Sequence, residues 1–196
     1  MRAGSAGRLL AVIVAVVGAL VLQVTVLPHF AWRIGGLGVV PDLVLLVVVA
    51  TAIATDTRFA TLAGFGAGLL LDVAPPADHV AGRWALALMV VGYVVGRLVH
   101  DNTADVGRFE PESVRRPPVP LMLAAAAGGS FIGTSVFALT GLLVDDAAVA
   151  VSDLLPVALV ALLLDVIAAL AVVPATLWLH RRLASDDLGD RVRVRA

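Results

Sequence analysis

The chain of 196 residues contains no cysteine and no lysine, and only 5% of its residues are aromatic. Without cysteine it has no disulfide, no thiolate metal site and no cysteine nucleophile. It also lacks the segments His-Glu-x-x-His, Gly-x-x-x-x-Gly-Lys and Gly-x-Ser-x-Gly. A zinc protease, a P-loop nucleotide hydrolase and a serine hydrolase are therefore unsupported. We predict a protein that is not an enzyme and holds no metal or cofactor.

The chain also has few charges for its length. Charged residues make up 15% of the sequence, the net charge is −1, and 60% of the residues are hydrophobic. The mean hydropathy is +1.01. This apolar content exceeds what one soluble core of this length could bury, so the composition indicates an integral membrane protein. The near-neutral charge gives no case for binding nucleic acid.

Six apolar segments separated by charged loops predict six transmembrane helices. A spanning helix needs about 20 mostly apolar residues, and the segments lie at about 9–27, 37–54, 59–74, 84–99, 119–144 and 154–179. The first is longer than the apolar core of a secretory signal, and no clear cleavage site follows it, so we expect it to be retained. The sequence predicts an all-α, compact transmembrane domain over 1–182 and a disordered tail over 183–196.

The arginines predict the side of the membrane on which each loop lies. If the N-terminus is cytoplasmic, twelve of the fourteen arginines fall in cytoplasmic segments, and only Arg33 and Arg83 lie outside. This asymmetry follows the positive-inside rule. We therefore expect both termini, and the long charged loop over 100–118, on the cytoplasmic side.

The third predicted helix carries small residues four positions apart. Ala60, Gly64 and Gly68 share one helix face, and Asp72 closes that face. Small residues at this spacing let another helix backbone approach closely in lipid. The pattern predicts a packing seam against either a helix of the same bundle or a helix of a partner protein. The fourth segment repeats the spacing from Gly92.

Three aspartates lie in or beside the apolar segments. Asp42, just after Pro41, and Asp72 are expected near the outer side, where they either face a shared polar pocket or are hydrated at helix ends. Asp165 lies near the middle of the sixth segment, where a carboxylate costs about 2.5 to 3.5 kcal/mol. We expect it to face the bundle interior, either bonded to a hydroxyl group or recognising a partner or ligand. The hydroxyl candidates are Thr134, Ser135 and Thr176.

Two further points concern the sixth segment. Pro174 removes a backbone donor in its inner half and is expected to kink the helix. An aspartyl protease dyad of Asp72 and Asp165 would require close carboxylates. The depths assigned to these two residues differ, which argues against catalysis.

An ordered set of residues runs through the whole chain. Its most specific part is Pro-Asp-Leu opening the second segment, then Gly-Phe-x-x-Gly-Leu-x-x-Asp in the third, and a glycine in the following loop. The set comprises Leu22, Gln23, Leu27, Pro28, Pro41, Asp42, Leu43, Gly64, Phe65, Gly68, Leu69, Asp72, Gly82, Gly92, Tyr93, Arg97, Asp165, Pro174, Arg181 and Arg182. Together these residues resemble the rod shape-determining protein MreD family over essentially the whole chain.

The resemblance implies a non-catalytic subunit of the bacterial cell-elongation machinery in the cytoplasmic (inner) membrane. Such a subunit works with the bitopic protein MreC and, through the complex, with MreB, a SEDS glycosyltransferase and a class B penicillin-binding protein. By the same resemblance, partner-binding or pocket-forming residues are expected at Pro41, Asp42, Gly64, Phe65, Gly68, Asp72, Gly82, Gly92, Tyr93, Arg97, Asp165 and Pro174. The chain departs from a generic member in its long charged fourth loop and its long fifth segment.

A second function stays open at this point. The MreD family is similar in fold to the S components of energy-coupling factor transporters, which are six-helix bundles with an outward-facing ligand pocket. The alternative is therefore a small-molecule-binding S component or another transporter subunit, in which Asp42, Asp72 and Asp165 would line the pocket.

Overall fold

The computed structural model describes residues 5–34, 37–75, 80–106, 117–143 and 151–193. Within these ranges the chain forms six α-helices. They are α1 (Ser5–Thr25), α2 (Leu43–Ala54), α3 (Thr57–Val73), α4 (Arg83–Val106), α5 (Val119–Leu143) and α6 (Val151–Arg193). A 3-10 turn (Leu27–Phe30) and an antiparallel hairpin of β1 (Trp32–Ile34) and β2 (Leu37–Val39) connect α1 to α2. The prediction of an all-α protein is confirmed, with this small hairpin as an addition.

Four of the helices are long and apolar enough to cross a membrane. Their apolar windows are Ala6–Thr25, Arg83–His100, Val119–Leu143 and Leu155–Leu183. The chain is thus a helical membrane protein. The two remaining helices, α2 with 12 residues and α3 with 17, are shorter than the about 20 residues that a spanning helix needs.

The observed helices differ from the predicted segments at three bounds. The second helix begins at Leu43 and not at 37, because Pro41 disfavours helical geometry in the residue before it and Asp42 caps the helix start. Helix α4 extends to Val106, into the predicted loop, of which residues 107–116 lie outside the described residues. Helix α6 continues to Arg193, into the segment 183–196 for which the sequence predicts a disordered tail.

Helix α2 forms the centre of the bundle. Every residue from 44 to 52 is buried, and the helix packs against the other five helices. Its sequence is apolar all round, which is typical of a fully enclosed helix. At 1.5 Å per residue it is only about 18 Å long. Protein encloses its start, where Val44 is buried, whereas its last residue, Ala54, is exposed. Irregular backbone at membrane depth is tolerated only where protein buries it or where it lines a cavity.

The helices alternate in direction along the bundle. At one end the Arg8 guanidinium lies 3.7 Å from the Asp56 carboxylate, which joins the start of α1 to the α2–α3 junction. At the same end His100 of α4 donates from Nε2 to the carbonyls of Ala52 (3.2 Å) and Thr55 (2.5 Å). These carbonyls end α2, so His100 supplies the cap that the helix terminus needs.

Candidate functional site

The small-residue seam on α3 packs against α4 of the same chain. A Cβ atom added to Gly64 would overlap the carbonyl of Leu88, and one added to Gly68 would overlap the backbone of Trp84 and Ala85. From the other side, Gly92 lies directly against the carbonyl of Ala60. The two backbones therefore touch, as small-residue faces allow. Of the two predicted uses of the seam, packing within the bundle accounts for all of these contacts.

Asp72 closes this helix pair by capping α4. Its carboxylate accepts hydrogen bonds from the backbone N–H groups of Gly82 (2.8 Å), Trp84 (3.1 Å) and Ala85 (3.1 Å). Gly82 has a φ angle of +96°, a conformation that residues with side chains rarely adopt. A carboxylate at a helix start also interacts favourably with the helix dipole. Asp72 and Gly82, both expected as site residues, thus act together to connect the end of α3 to the start of α4.

A second group of polar side chains surrounds the start of α2. We call it the α2-start cluster, and it comprises Gln23, Asp42, Ser130 and Asp165. Asp42 accepts from the Leu45 N–H at 2.9 Å, and Gln23 accepts from the Val44 N–H at 3.0 Å. The cluster brings together four helices that are distant in sequence: α1, α2, α5 and α6.

Asp165 holds the cluster together from α6. One of its oxygens accepts from the backbone N–H of Asp42 at 2.6 Å, and the other accepts from the Ser130 hydroxyl at 2.5 Å. Its side chain is only 3% exposed. The expectation that Asp165 faces the bundle interior is confirmed, and hydrogen bonds satisfy the carboxylate as burial requires.

The hydroxyl partner of Asp165 was predicted wrongly. It is Ser130, whereas the sequence pointed to Thr134, Ser135 or Thr176. The missed signal lies in α5, where the buried face carries small residues at helical spacing, and Ser130 falls on that face. The buried residues of this face are Met122, Ala126, Gly129, Ser130, Gly133 and Gly141.

The Asp165 side of the cluster lies within the apolar window of α6. Asp165 follows Leu155 by ten residues, or about 15 Å along the helix, within the apolar window Leu155–Leu183. Asp42 lies beside Asp165, because its backbone N–H donates to that carboxylate. Of the two alternatives predicted for Asp42 and Asp72, the shared polar pocket was wrong, and the position of Asp42 near the outer side stays a prediction. The carboxylate that joins Asp42 is Asp165, and Asp72 caps α4 instead.

A cavity of about 230 Å³ opens beside this cluster. We call it the α2-start cavity. Its polar lining comes from Gln23, Asp42, Thr134 and Asp165, and Trp84 adds an indole. The hairpin residues Gly38 and Val39 and the α6 residues Val157 and Ala161 complete the walls. The hairpin follows the end of α1, and the first turns of α6 line the same cavity as the hairpin. The end of α1 and the start of α6 therefore lie at the same end of the bundle.

Arg83, which the sequence assigned to an external loop, is a largely buried residue at the first position of α4. Its guanidinium donates to the Phe137 carbonyl at 2.8 Å and lies 4.0 Å from the centre of the Phe137 ring. The same ring stacks against Trp84 at 4.5 Å between centroids. These contacts fix α4 to α5 beside the cavity, through a hydrogen bond and a cation–π interaction.

The remaining predicted site residues belong neither to the cap that Asp72 forms on α4 nor to the α2-start cluster. Phe65 and Tyr93 point outwards, with 42% and 51% of their surface exposed. Arg97 is exposed near the end of α4, and Pro41 is half-buried ahead of α2. Pro174 lies inside α6, which runs on through it as one helix. In the part of the chain that the structure describes, no three acidic or histidine side chains come together as metal ligands would.

A separate apolar groove runs between α1 and α3. We call it the α1–α3 groove, and its rims are Leu9, Ile13 and Val17 on α1 and Leu62, Gly66 and Leu70 on α3. Its volume is about 340 Å³. Leu62 is 70% exposed, and a Cβ added to Gly66 would meet no atom within 4 Å. The seam therefore faces α4, while this other face of α3 is open.

No protein-family model, curated protein or solved structure matches the chain.

Proposed function

We propose that the chain is a non-catalytic membrane subunit of the MreD type, which supports bacterial cell shape and peptidoglycan synthesis. In this proposal it binds MreC in the inner membrane and, through the complex, acts with MreB, a SEDS glycosyltransferase and a class B penicillin-binding protein. In this proposal the chain crosses the membrane six times, and both termini are cytoplasmic. The alternating helix directions and the Arg8–Asp56 and His100 contacts at one end are consistent with this topology.

The observation that carries the proposal is the α1–α3 groove. A partner with one spanning helix needs an apolar surface where small residues let its backbone come close. The groove supplies Ala63, Gly66 and Ala67 on its α3 side and exposed Leu9 and Ile13 on its α1 side. MreC, being bitopic, offers a single helix of this kind. Because the seam of Gly64 and Gly68 is used up by α4, we propose that the partner docks in the groove instead.

Replacing Gly66 with Leu tests this docking surface. The added side chain meets no atom of the chain, so we expect the fold to survive while the groove is filled. Recovery of MreC with the tagged protein from native membranes should then fall at least about tenfold, as expected if a buried contact worth more than about 1.4 kcal/mol is lost. Quantitative mass spectrometry of the purified complex provides the measurement.

Gly128→Leu is the matched control. Gly128 on α5 also has open space around it and lies away from the groove. Full recovery of MreC with Gly66→Leu, or equal loss with both variants, would contradict the groove as the docking surface. Recovery of an ATPase pair in place of MreC would contradict the scaffold function itself.

The α2-start cavity favours a second candidate function. A concave site with a few convergent polar groups is the usual form of a small-molecule pocket. In this alternative the chain is a ligand-binding subunit similar to an S component, and Asp42 and Asp165 border the ligand. Asp72, bonded to α4, has no place in that pocket. Saturable binding by the purified protein would support this function, and gene neighbours that encode transporter ATPases would agree with it.

A further inference from the structure

Two carboxyl groups border the α2-start cavity. The described residues that line it include two carboxylates, Asp42 and Asp165, and no arginine or histidine. An ionised carboxylate has about four lone-pair positions. The hydrogen bonds from Asp42 N–H and the Ser130 hydroxyl use two of those on Asp165. The cavity wall therefore retains capacity to accept hydrogen bonds from a ligand.

A positively charged hydrogen-bond donor is the ligand group that best complements the carboxyl groups of this cavity. Buried charges are costly unless they are paired, and hydrogen bonds between charged partners are about twice as strong as neutral ones. Trp84 also borders the cavity, and an indole face attracts cations. The Thr134 hydroxyl adds a group that can either accept or donate.

The size of the cavity limits the ligand. Its volume of about 230 Å³ equals roughly eight water molecules and lies below the about 300 to 1,000 Å³ of pockets that hold drug-sized ligands. A larger molecule would have to extend out of its open side. A short amine or guanidine would fit within it.

We propose that the α2-start cavity binds a primary ammonium or guanidinium group carried by a small organic molecule. This inference rests on the second candidate function, since it needs the cavity to be a ligand site. It does not depend on the binding of MreC, for which we propose the separate α1–α3 groove. Asp165 and Asp42 hold the cation, and Thr134 and Trp84 contact the remainder of the molecule.

The test is calorimetric titration of the purified full chain in detergent with agmatine, which carries both cationic groups. Butyrate and n-butanol serve as anionic and neutral controls. We expect saturable binding of agmatine alone. Asp165→Asn should weaken it roughly ten- to hundredfold, because a hydrogen bond to a charged group is lost while the amide keeps the contacts to Asp42 and Ser130.

A second variant guards against a folding defect. Asp42→Asn keeps a good helix cap, so its thermal unfolding should match that of the unaltered chain while agmatine binding falls. Binding of n-butanol without binding of agmatine would contradict the preference for a cation, although the cavity would still be a ligand site. Binding of none of the three would overturn the cation proposal, whereas the second candidate function would fall only if the purified protein bound no small molecule saturably.

Discussion

Gly68→Leu should prevent α3 and α4 from packing and should lower the thermal stability of the purified protein more than any other single change discussed above. The new side chain would have to enter the backbone of Trp84 and Ala85, which cannot move aside as a flexible side chain can. Overpacking a core usually costs about 1 to 3 kcal/mol, and we expect a loss at or above the upper end of that range. Thermal unfolding in detergent, followed by circular dichroism, provides the measurement.

Gly66→Leu is the matched control for this prediction. It makes the same substitution two residues away on α3, at a position with open space. We expect its unfolding temperature to stay close to that of the unaltered chain. Equal unfolding temperatures for the Gly68 and Gly66 variants would show that α3 and α4 are not in backbone contact. Gly68→Leu is also a poor test of partner binding, because a loss of partner could result from the damaged fold alone.

Asp165→Leu should have the second-largest effect, and its two consequences oppose each other. Removing a mid-helix carboxylate makes membrane insertion easier by about 2.5 to 3.5 kcal/mol or slightly more. After insertion, however, the Asp42 N–H loses its acceptor inside the protein, and an unsatisfied buried donor costs about 1 to 3 kcal/mol. The Ser130 hydroxyl loses less, because it can bond to a carbonyl of its own helix.

We therefore expect Asp165→Leu to insert at least as well as the unaltered chain but to unfold at a clearly lower temperature. Membrane fractionation measures the first quantity and thermal unfolding in detergent the second. Asp165→Asn should stay within about 1 kcal/mol of the unaltered chain, since its amide can accept from Asp42 and donate to Ser130. Unchanged unfolding of Asp165→Leu would mean that the carboxylate does not organise the start of α2.

The spacing of small residues predicted that α3 would pack closely but could not identify its neighbour. The pattern at Ala60, Gly64 and Gly68 states only that a backbone can approach. The choice of α4 depends on Asp72, which reaches across the loop to cap α4, and on Gly82, whose positive φ angle allows the turn. Both residues were expected as site residues, but their joint role depends on the shape of a loop, which periodicity does not encode.

The start of α2 shows the largest difference between the sequence interpretation and the structure. The apolar run from 37 to 54 looked like one spanning helix. In the structure the first part of this run is a β-strand and an extended turn, and the helix itself is short and central. Asp165 makes this possible, because it accepts the Asp42 N–H that would otherwise be unpaired deep in the bundle. Contacts between residues 123 positions apart cannot be read from local patterns.

We propose the α1–α3 groove as the surface for a partner helix, and site-specific photo-crosslinking in the native membrane tests this proposal most directly. A photoreactive amino acid would replace Leu62, which is 70% exposed in the groove, or Leu159 on α6, which is 59% exposed and serves as the control. We expect a covalent adduct with MreC from position 62 and none from position 159. An MreC adduct from position 159 alone, or no protein adduct from position 62, would contradict the groove as the partner-binding surface.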